Sequence, residues 1–557
     1  MTLADPRAVP AWIRYAPLAL AGAILVWHAQ QYDFVTDDAF ISFVFSRNFA
    51  EHGQLAFNLG DPVEGYTNFL WTFGLGVLMF LGIPPEIAAR VLGIGFGLGV
   101  LVVTFRIGER VLGRGHPLTD LAPILLACSS GFACWSSGGL ETQLYTFLVV
   151  LALDGYLAAC DGDDVRGLRR LAIALALAAM TRPEGPLLAA LFGVHRVASN
   201  LIAERRLRPS RAEGLAVAWF LGLWAPWFAW RWWYYGWPFP NTYYVKAAGA
   251  AVPGYDATMR SNGGYYVGRW LEQVGLVLAP PSKMSVLSPG AWPLAIAGLV
   301  TLPRKGARFA LVTMSALLIA VYLRYVAGVG GDFMGLHRFI MPVFVLTALL
   351  IALGVDNLGR LVGRWAPPKI ATAVAIVIAF VVLAAFAHRQ LELTRTSLRH
   401  GNFKNDRGID TPAFLRAYTH DRVLIGKALA PCVRKDDFAI FGGVGALPYY
   451  ARLRGIDVFG LVSSRVAHEV PRTNPRAGHN KWGPDTLMAE HDPNIVLSCY
   501  DLRREPGVAP LSHCAGFWLA RGFERVVLHV PGLVERGEYL TFLVARDRQL
   551  ACPGLAR

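Results

Sequence analysis

Charged side chains are scarce in this chain. They make up 17% of its 557 residues, where a soluble domain carries about a quarter. Mean hydropathy is +0.40. A wholly soluble protein is excluded, yet too much charge remains for a chain embedded in lipid throughout. Internal repeats and low-complexity tracts are missing, and transporters are usually built from repeats. Cysteines number seven, and none has the spacing of a zinc site. The N-terminus MTLADPRAVPAWIR lacks a cleavable-signal pattern, so the first apolar run is expected to stay as an anchor. No basic groove with interleaved aromatics accompanies the net charge of +14, so nucleic acid is not an expected partner.

What is present is a series of apolar runs near 20 residues, the length that crosses a bilayer. They cover roughly 14–31, 86–108, 119–137, 141–160, 170–197, 214–235, 289–303, 308–327, 338–354 and 370–387. Lys and Arg gather in short loops between them, at 106–114, 166–170, 196–211, 304–308 and 359–369. The positive-inside bias puts these loops in the cytoplasm. The run 170–197 then enters and leaves on one side, as two short helices broken at TRPEG (181–185), where Pro183 interrupts helical bonding. The run 67–83 lies between two outer points and reads as an interfacial or re-entrant helix. The count is about eleven transmembrane helices, with the N-terminus cytoplasmic.

The expected fold is thus a polytopic α-helical membrane protein with a soluble C-terminal α/β or α+β domain. The membrane domain is 1–387, with periplasmic loops 32–85, 236–288 and 328–337. Residues 388–557 form the periplasmic domain, where DFAIFGG (437–443), NIVLSCY (494–500) and RVVLHV (525–530) read as strands. On the outer side disulfides form, and Cys499 with Cys514 is the expected pair.

The chemistry-bearing residues gather in the outer loops. Asp37 and Asp38 follow the first span directly. Aspartate favours a helix N-terminus, and a cap is the plain alternative. Two adjacent carboxylates at a membrane edge repel, however, and suit a base, a metal site or both. Glu64, Tyr66 and Asn68 lie in DPVEGYTNFLW (61–71), as cavity-lining groups or as a turn with belt aromatics. Glu141 opens a span in SSGGLETQ (136–143), where a charge needs a partner or a cavity. Arg182 and Glu184 of TRPEG read as a structural ion pair. The loop WRWWYYGWPFPNTYYVK (230–246) has more aromatics than a belt needs, with Asn241, Tyr243 and Lys246 as candidate donor contacts. In GGDFMGLHRF (330–339), Asp332 lines the cavity, and His337 and Arg338 are candidate phosphate contacts.

VEGYTNFLW, SGGLETQLY, TRPEG, YYGWPFPNTYYVK and GGDFMGLHRF occur in this order behind an aspartate pair. The set resembles the GT-C superfamily of polyprenyl-phosphate-dependent glycosyltransferases. Within it, the chain is most similar to the terminal β-1,2-arabinofuranosyltransferases of cell-wall arabinan synthesis. The segment VFGLVSSRVA (458–467) departs from that pattern by lacking an aspartate before Arg465. The resemblance implies a GT-C fold in the cytoplasmic membrane. It implies transfer of D-arabinofuranose from decaprenyl-phosphoryl-arabinofuranose to a glycan acceptor on the periplasmic face. Asp37 and Asp38 would be catalytic, and a divalent cation (Mg, Mn or Ca) at Asp37 is an option. Another GT-C activity, protein O-mannosyl or lipid A aminoarabinose transfer, is the nearer alternative. A lipid or solute transporter is the more distant one.

Overall fold

The computed structural model describes residues 10–162, 164–273, 292–300 and 306–556. The chain folds into two compact units. One comprises Met1–Asp33, Ala89–Ala229 and Asn262–Arg399, the other Phe34–Ala88, Trp230–Ser261 and His400–Arg557.

The first unit is helical. Seven helices among the described residues are long and apolar enough to cross a membrane: Pro85–Leu112, Thr142–Cys160, Gly185–Ile202, Arg211–Tyr235, Gly306–Gly328, Arg338–Val362 and Pro368–Leu398. Arg338–Val362 is almost wholly buried, and Arg211–Tyr235 is not. The first thus forms the centre of its unit, while an apolar helix with an uncovered face suits lipid contact. The helix Ala11–Tyr32 matches the first expected span. The run 289–303 appears as Trp292–Leu299, with 289–291 and 301–303 outside the described residues. Part of the loop 236–288 also lies outside them.

Three details depart from the sequence reading. The run 119–137 is not one span but two helices, Leu121–Cys128 and Ser130–Ser137. The break is satisfied within the unit, as a membrane interior requires: Ser129 Oγ accepts from Phe132 N, and Ser130 N donates to Gln390 Oε1 on the helix Pro368–Leu398. The chain does break at TRPEG, but the flanking helices, Asp164–Thr181 and Gly185–Glu204, are 18 and 20 residues long rather than short. Each recruits polar residues from its neighbouring loop. The helix expected over 370–387 continues to Leu398. Apolarity stops near 388 because the last turns bury polar groups instead: Thr394 Oγ1 bonds His28 Nε2 at 2.8 Å.

The second unit is built on a six-stranded mixed sheet of order β2-β1-β3-β5-β4-β6. The strands are β1 Phe438–Phe441, β2 Arg454–Asp457, β3 Ile495–Arg503, β4 Phe523–His529, β5 Tyr539–Ala545 and β6 Leu555–Ala556. β1 is parallel to β2 and β3; β5 is antiparallel to β3 and β4. The three expected strands are β1, β3 and β4. The loops 34–88 and 230–261 join the core of this sheet, because Val44, Phe45, Tyr66 and Tyr235 bury with Phe441, Leu497 and Phe542. Asn58 clamps Gly455 in β2 with two hydrogen bonds of 3.0 Å. The helix Asp37–His52 is therefore part of the fold of the C-terminal domain. The helix Phe69–Phe80 is 12 residues long, too short to span.

Two disulfides lie in this unit. Cys499–Cys514 is the expected pair, and Cys432–Cys552 joins residues 120 apart. Cys128, Cys134 and Cys160 are free thiols. In denatured, unreduced protein these three should react with maleimide, and the other cysteines only after reduction. Mass spectrometry of the labelled chain checks this.

Candidate functional site

The aspartate pair opens the helix Asp37–His52, behind the N-cap Thr36, where carboxylates complement the helix dipole. Asp37 has a second, long-range partner. Its Oδ1 accepts from Ala446 N at 2.8 Å. Ala446 begins the helix Ala446–Ala451, which joins β1 to the parallel β2 through the glycine-rich turn 442–445. Gly445 allows the approach: a Cβ there would stand 2.3 Å from the Asp37 carboxyl carbon. A Cβ built at Gly443 would stand 3.9 Å from Asp37 Oδ2 and 3.1 Å from the Tyr418 hydroxyl. One carboxylate oxygen is thus pinned, and the other faces a glycine and a tyrosine. Burial pushes the Asp37 carboxyl up to about 6; the Ala446 N–H opposes this, and the charge of Asp38 adds to it.

A cation stands nearby in the same unit. The Arg422 guanidinium lies 4.1 Å over the Tyr418 ring and donates to Tyr500 Oη at 2.5 Å. It also pairs with Glu535 at 3.3 Å. Arg422 favours the ionised form of Asp37, and Glu535 disfavours it.

Glu64 is buried against Arg231, with Nε–Oε1 at 2.8 Å and Nη2–Oε2 at 2.7 Å. Arg231 also holds Pro238 O at 2.9 Å. The Glu64 carboxylate is thus occupied in joining the loop 61–71 to the aromatic segment 230–240. Tyr66 continues the joint, with its hydroxyl 2.9 Å from that of Tyr235. Asn68 accepts from Ser42 and Thr72. Asn241 N donates to Glu64 O at 3.0 Å, and its side-chain amide reaches Gly460 O at 2.7 Å and Leu461 O at 3.1 Å. That amide supports the 460–463 turn, which Asp457 closes from the other side through Leu461 N and Val462 N. Tyr243 and Lys246 are exposed.

The other candidates lie in the helical unit. Glu141 shares Arg182 with Glu184: Arg182 Nη1 reaches Glu141 Oε1 at 2.8 Å and Nη2 reaches Glu184 Oε1 at 3.0 Å. The sequence pairs Arg182 with Glu184; the structure adds Glu141. Asp332 pairs with Arg338, which lies over Trp135 and Phe339 at 5.6 and 5.1 Å. Phe339 also faces Arg182, at 4.5 Å. Leu336 and His337 both take left-handed backbone, with φ of 61° and 58°. Two consecutive non-glycine residues in that region mark stored strain, a common feature of functional loops. The His337 ring packs edge-on to Tyr266, 4.8 Å away. Burial, with Arg269, lowers its pKa to about 3. His337 is therefore neutral and offers a hydrogen bond rather than a charge.

Arg231, Tyr418, Arg422 and the 442–445 turn were not singled out from sequence. The glycine run after DFAIF was the available signal for the turn. Arg231 sits unmarked within an aromatic run.

Among the described residues, the one group of three metal-ligand side chains is Cys499, His513 and Cys514, whose cysteines form a disulfide. The aspartate pair offers two carboxylates, a set that suits a magnesium-like ion keeping most of its water.

No family model matches the chain, and no curated protein matches it in sequence. Solved structures do match. ArnT from Cupriavidus metallidurans, bound to undecaprenyl phosphate, superposes with a TM-score of 0.56 at 14% identity, over 97% of this chain and 100% of that one. The archaeal oligosaccharyltransferase AglB from Archaeoglobus fulgidus, in complex with an inhibitory peptide and a dolichol-phosphate, gives 0.54 at 10% identity, over 98% and 75%. At such identities the likeness is one of fold. The chain has the polytopic GT-C fold with a C-terminal domain that its motifs led us to expect.

Proposed function

We propose that the protein is a membrane glycosyltransferase that moves a D-arabinofuranosyl residue from a polyprenyl-phosphate donor to a glycan acceptor. The observation that carries the reading is the recessed Asp37–Asp38 pair, one oxygen pinned by Ala446 N and another facing Gly443. It occurs in a fold whose solved examples hold undecaprenyl phosphate or dolichol-phosphate. In the proposed reaction an acceptor hydroxyl attacks the anomeric carbon and its proton passes to a carboxylate of the pair. The carbon–oxygen bond to phosphate breaks, and the prenyl phosphate leaves with the electron pair. A carboxyl titrating near 6 holds a proton better than an ordinary aspartate and is the stronger base. Lys246, in the same unit as the pair, is the proposed phosphate contact. Were Asp37 instead to hold a divalent cation, that ion would supply charge against the leaving phosphate and Asp38 would take the proton.

We place the reaction on the periplasmic face. The basic loops support a cytoplasmic location for the opposite ends of the helices. Both disulfides lie in 400–557, which supports an oxidising compartment for that domain. The likeness to ArnT runs the length of both chains, and it keeps aminoarabinose transfer to lipid A as the second reading. Purified protein offered prenyl-phosphoryl arabinofuranose, mannose and aminoarabinose in turn should consume the first. Consumption of aminoarabinose alone establishes the second reading. Turnover of none of them overturns both.

A further inference from the structure

Lys481 is 1% exposed. Its ammonium donates to Ala467 O at 2.7 Å, which uses one of its three protons. No carboxylate pairs with it among the described residues. Burial, and then the charge of Arg472, push its pKa down to about 8. An ammonium removed from water without a counter-charge is a strained arrangement that an anion relieves.

Two other basic side chains converge on the same place. Arg472 Nη2 donates to Gly249 O at 3.2 Å, and a Cβ built at Gly249 would stand 3.5 Å from Lys481 Nζ. The backbone of Gly249 therefore lies close to both cations. Arg472 Nε is buried without a hydrogen-bond partner. Its acidic neighbour Asp256 is 3.7 Å away and stands mostly in solvent. The His468 ring stacks on Trp237 at 3.9 Å and lies tilted against Tyr244 at 4.1 Å, within reach of the Lys481 charge. Its Nε2 is likewise buried without a partner. The neighbouring acid, Glu469, is engaged by Arg465.

Three basic groups from 468–481 thus present unused nitrogens beside two aromatic rings. We propose that Lys481, Arg472 and His468 form an anion subsite that takes a phosphate ester, with the half-exposed Trp237 flanking the sugar or isoprenoid joined to it. Donors arriving from three side chains suit a tetrahedral oxyanion, and the guanidinium fork matches phosphate geometry. The subsite stands independently of the transferase reading, since it concerns binding alone.

The test uses the full chain in maltoside detergent, with thermal unfolding followed in two arms. One arm titrates inorganic phosphate; the other dopes the micelles with undecaprenyl phosphate. A saturable rise in unfolding temperature is expected in at least one arm. A rise with inorganic phosphate identifies a soluble or glycan-borne ester, and a rise with the prenyl phosphate alone identifies a lipid. Lys481→Met should weaken the response at least about tenfold. Without ligand it should unfold at a higher temperature than wild type, because the uncompensated charge is gone. Should that variant fail to fold, Arg472→Gln must weaken the response by a similar factor. No saturable response in either arm overturns the subsite. So does a Lys481→Met protein that is less stable but responds as wild type, which would make Lys481 a strut for Ala467. Sugar transfer measured on the same samples keeps failure of the subsite distinct from failure of the transferase reading.

Discussion

Replacing Arg182 with methionine should destabilise the helical unit by about 3–5 kcal/mol, the cost of breaking a buried ion pair from one side. Glu141, Arg182 and Glu184 are 5%, 7% and 3% exposed. One guanidinium serves two carboxylates, so its loss removes the same cation from both, in a site that water scarcely reaches. The damage should spread along the loop 332–340, because Phe339 lies against Arg182 on one side and Arg338 on the other. Thermal unfolding in detergent reads the effect. Adding Glu141→Gln and Glu184→Gln to Arg182→Met should restore most of the loss, since an uncharged set of similar volume needs no counter-ion. An unfolding temperature unchanged in Arg182→Met would show that the triad is solvated.

Asp37→Asn should act in the opposite direction on stability while removing activity. The folded-state pKa of Asp37 lies above its ordinary 3.8, at about 6. Between those values the unfolded chain has released its proton and the folded one has not. The folded form thus binds more protons, and stability falls as pH rises through that window. Above it wild type carries the full penalty, of order 1–3 kcal/mol from the size of the shift. Asparagine keeps an oxygen for Ala446 N and does not ionise. Its stability should fall less steeply than that of wild type between about pH 4 and 6, by the share that Asp37 contributes, and should exceed wild type at pH 7 to 8. Transfer should nevertheless drop by about 10²–10⁴ if Asp37 takes the proton. A residue that costs stability and cannot be spared for activity is held for its chemistry.

Much of this was legible in the sequence, for reasons that differ by residue. Asp37 and Asp38 stood out because adjacent charges at the end of an apolar run are expensive. The TRPEG break was readable from one proline. β1, β3 and β4 announced themselves as apolar runs between polar turns. What was not legible depends on contacts distant in the chain. Arg231 meets Glu64 from 167 residues away, and nothing in WRWWYY marks it as a partner. The Asp37–Ala446 bond spans 409 residues, so the glycine turn read only as the end of a strand. The continuation of Pro368–Leu398 past 387 was hidden because Gln390 and Thr394 replace apolar burial with hydrogen bonds. Asn241 looked like a ligand contact because its neighbours are aromatic; its amide instead holds the 460–463 turn.

The most direct test of the central claim is the transfer rate from a synthetic prenyl-phosphoryl arabinofuranose, measured for wild type, Asp37→Asn and Asp38→Asn at matched folding. The account predicts that at least one of the two variants loses transfer by about two orders of magnitude or more, while both keep the wild-type unfolding temperature or exceed it. Full transfer by both variants would contradict it and move the reaction centre away from the aspartate pair.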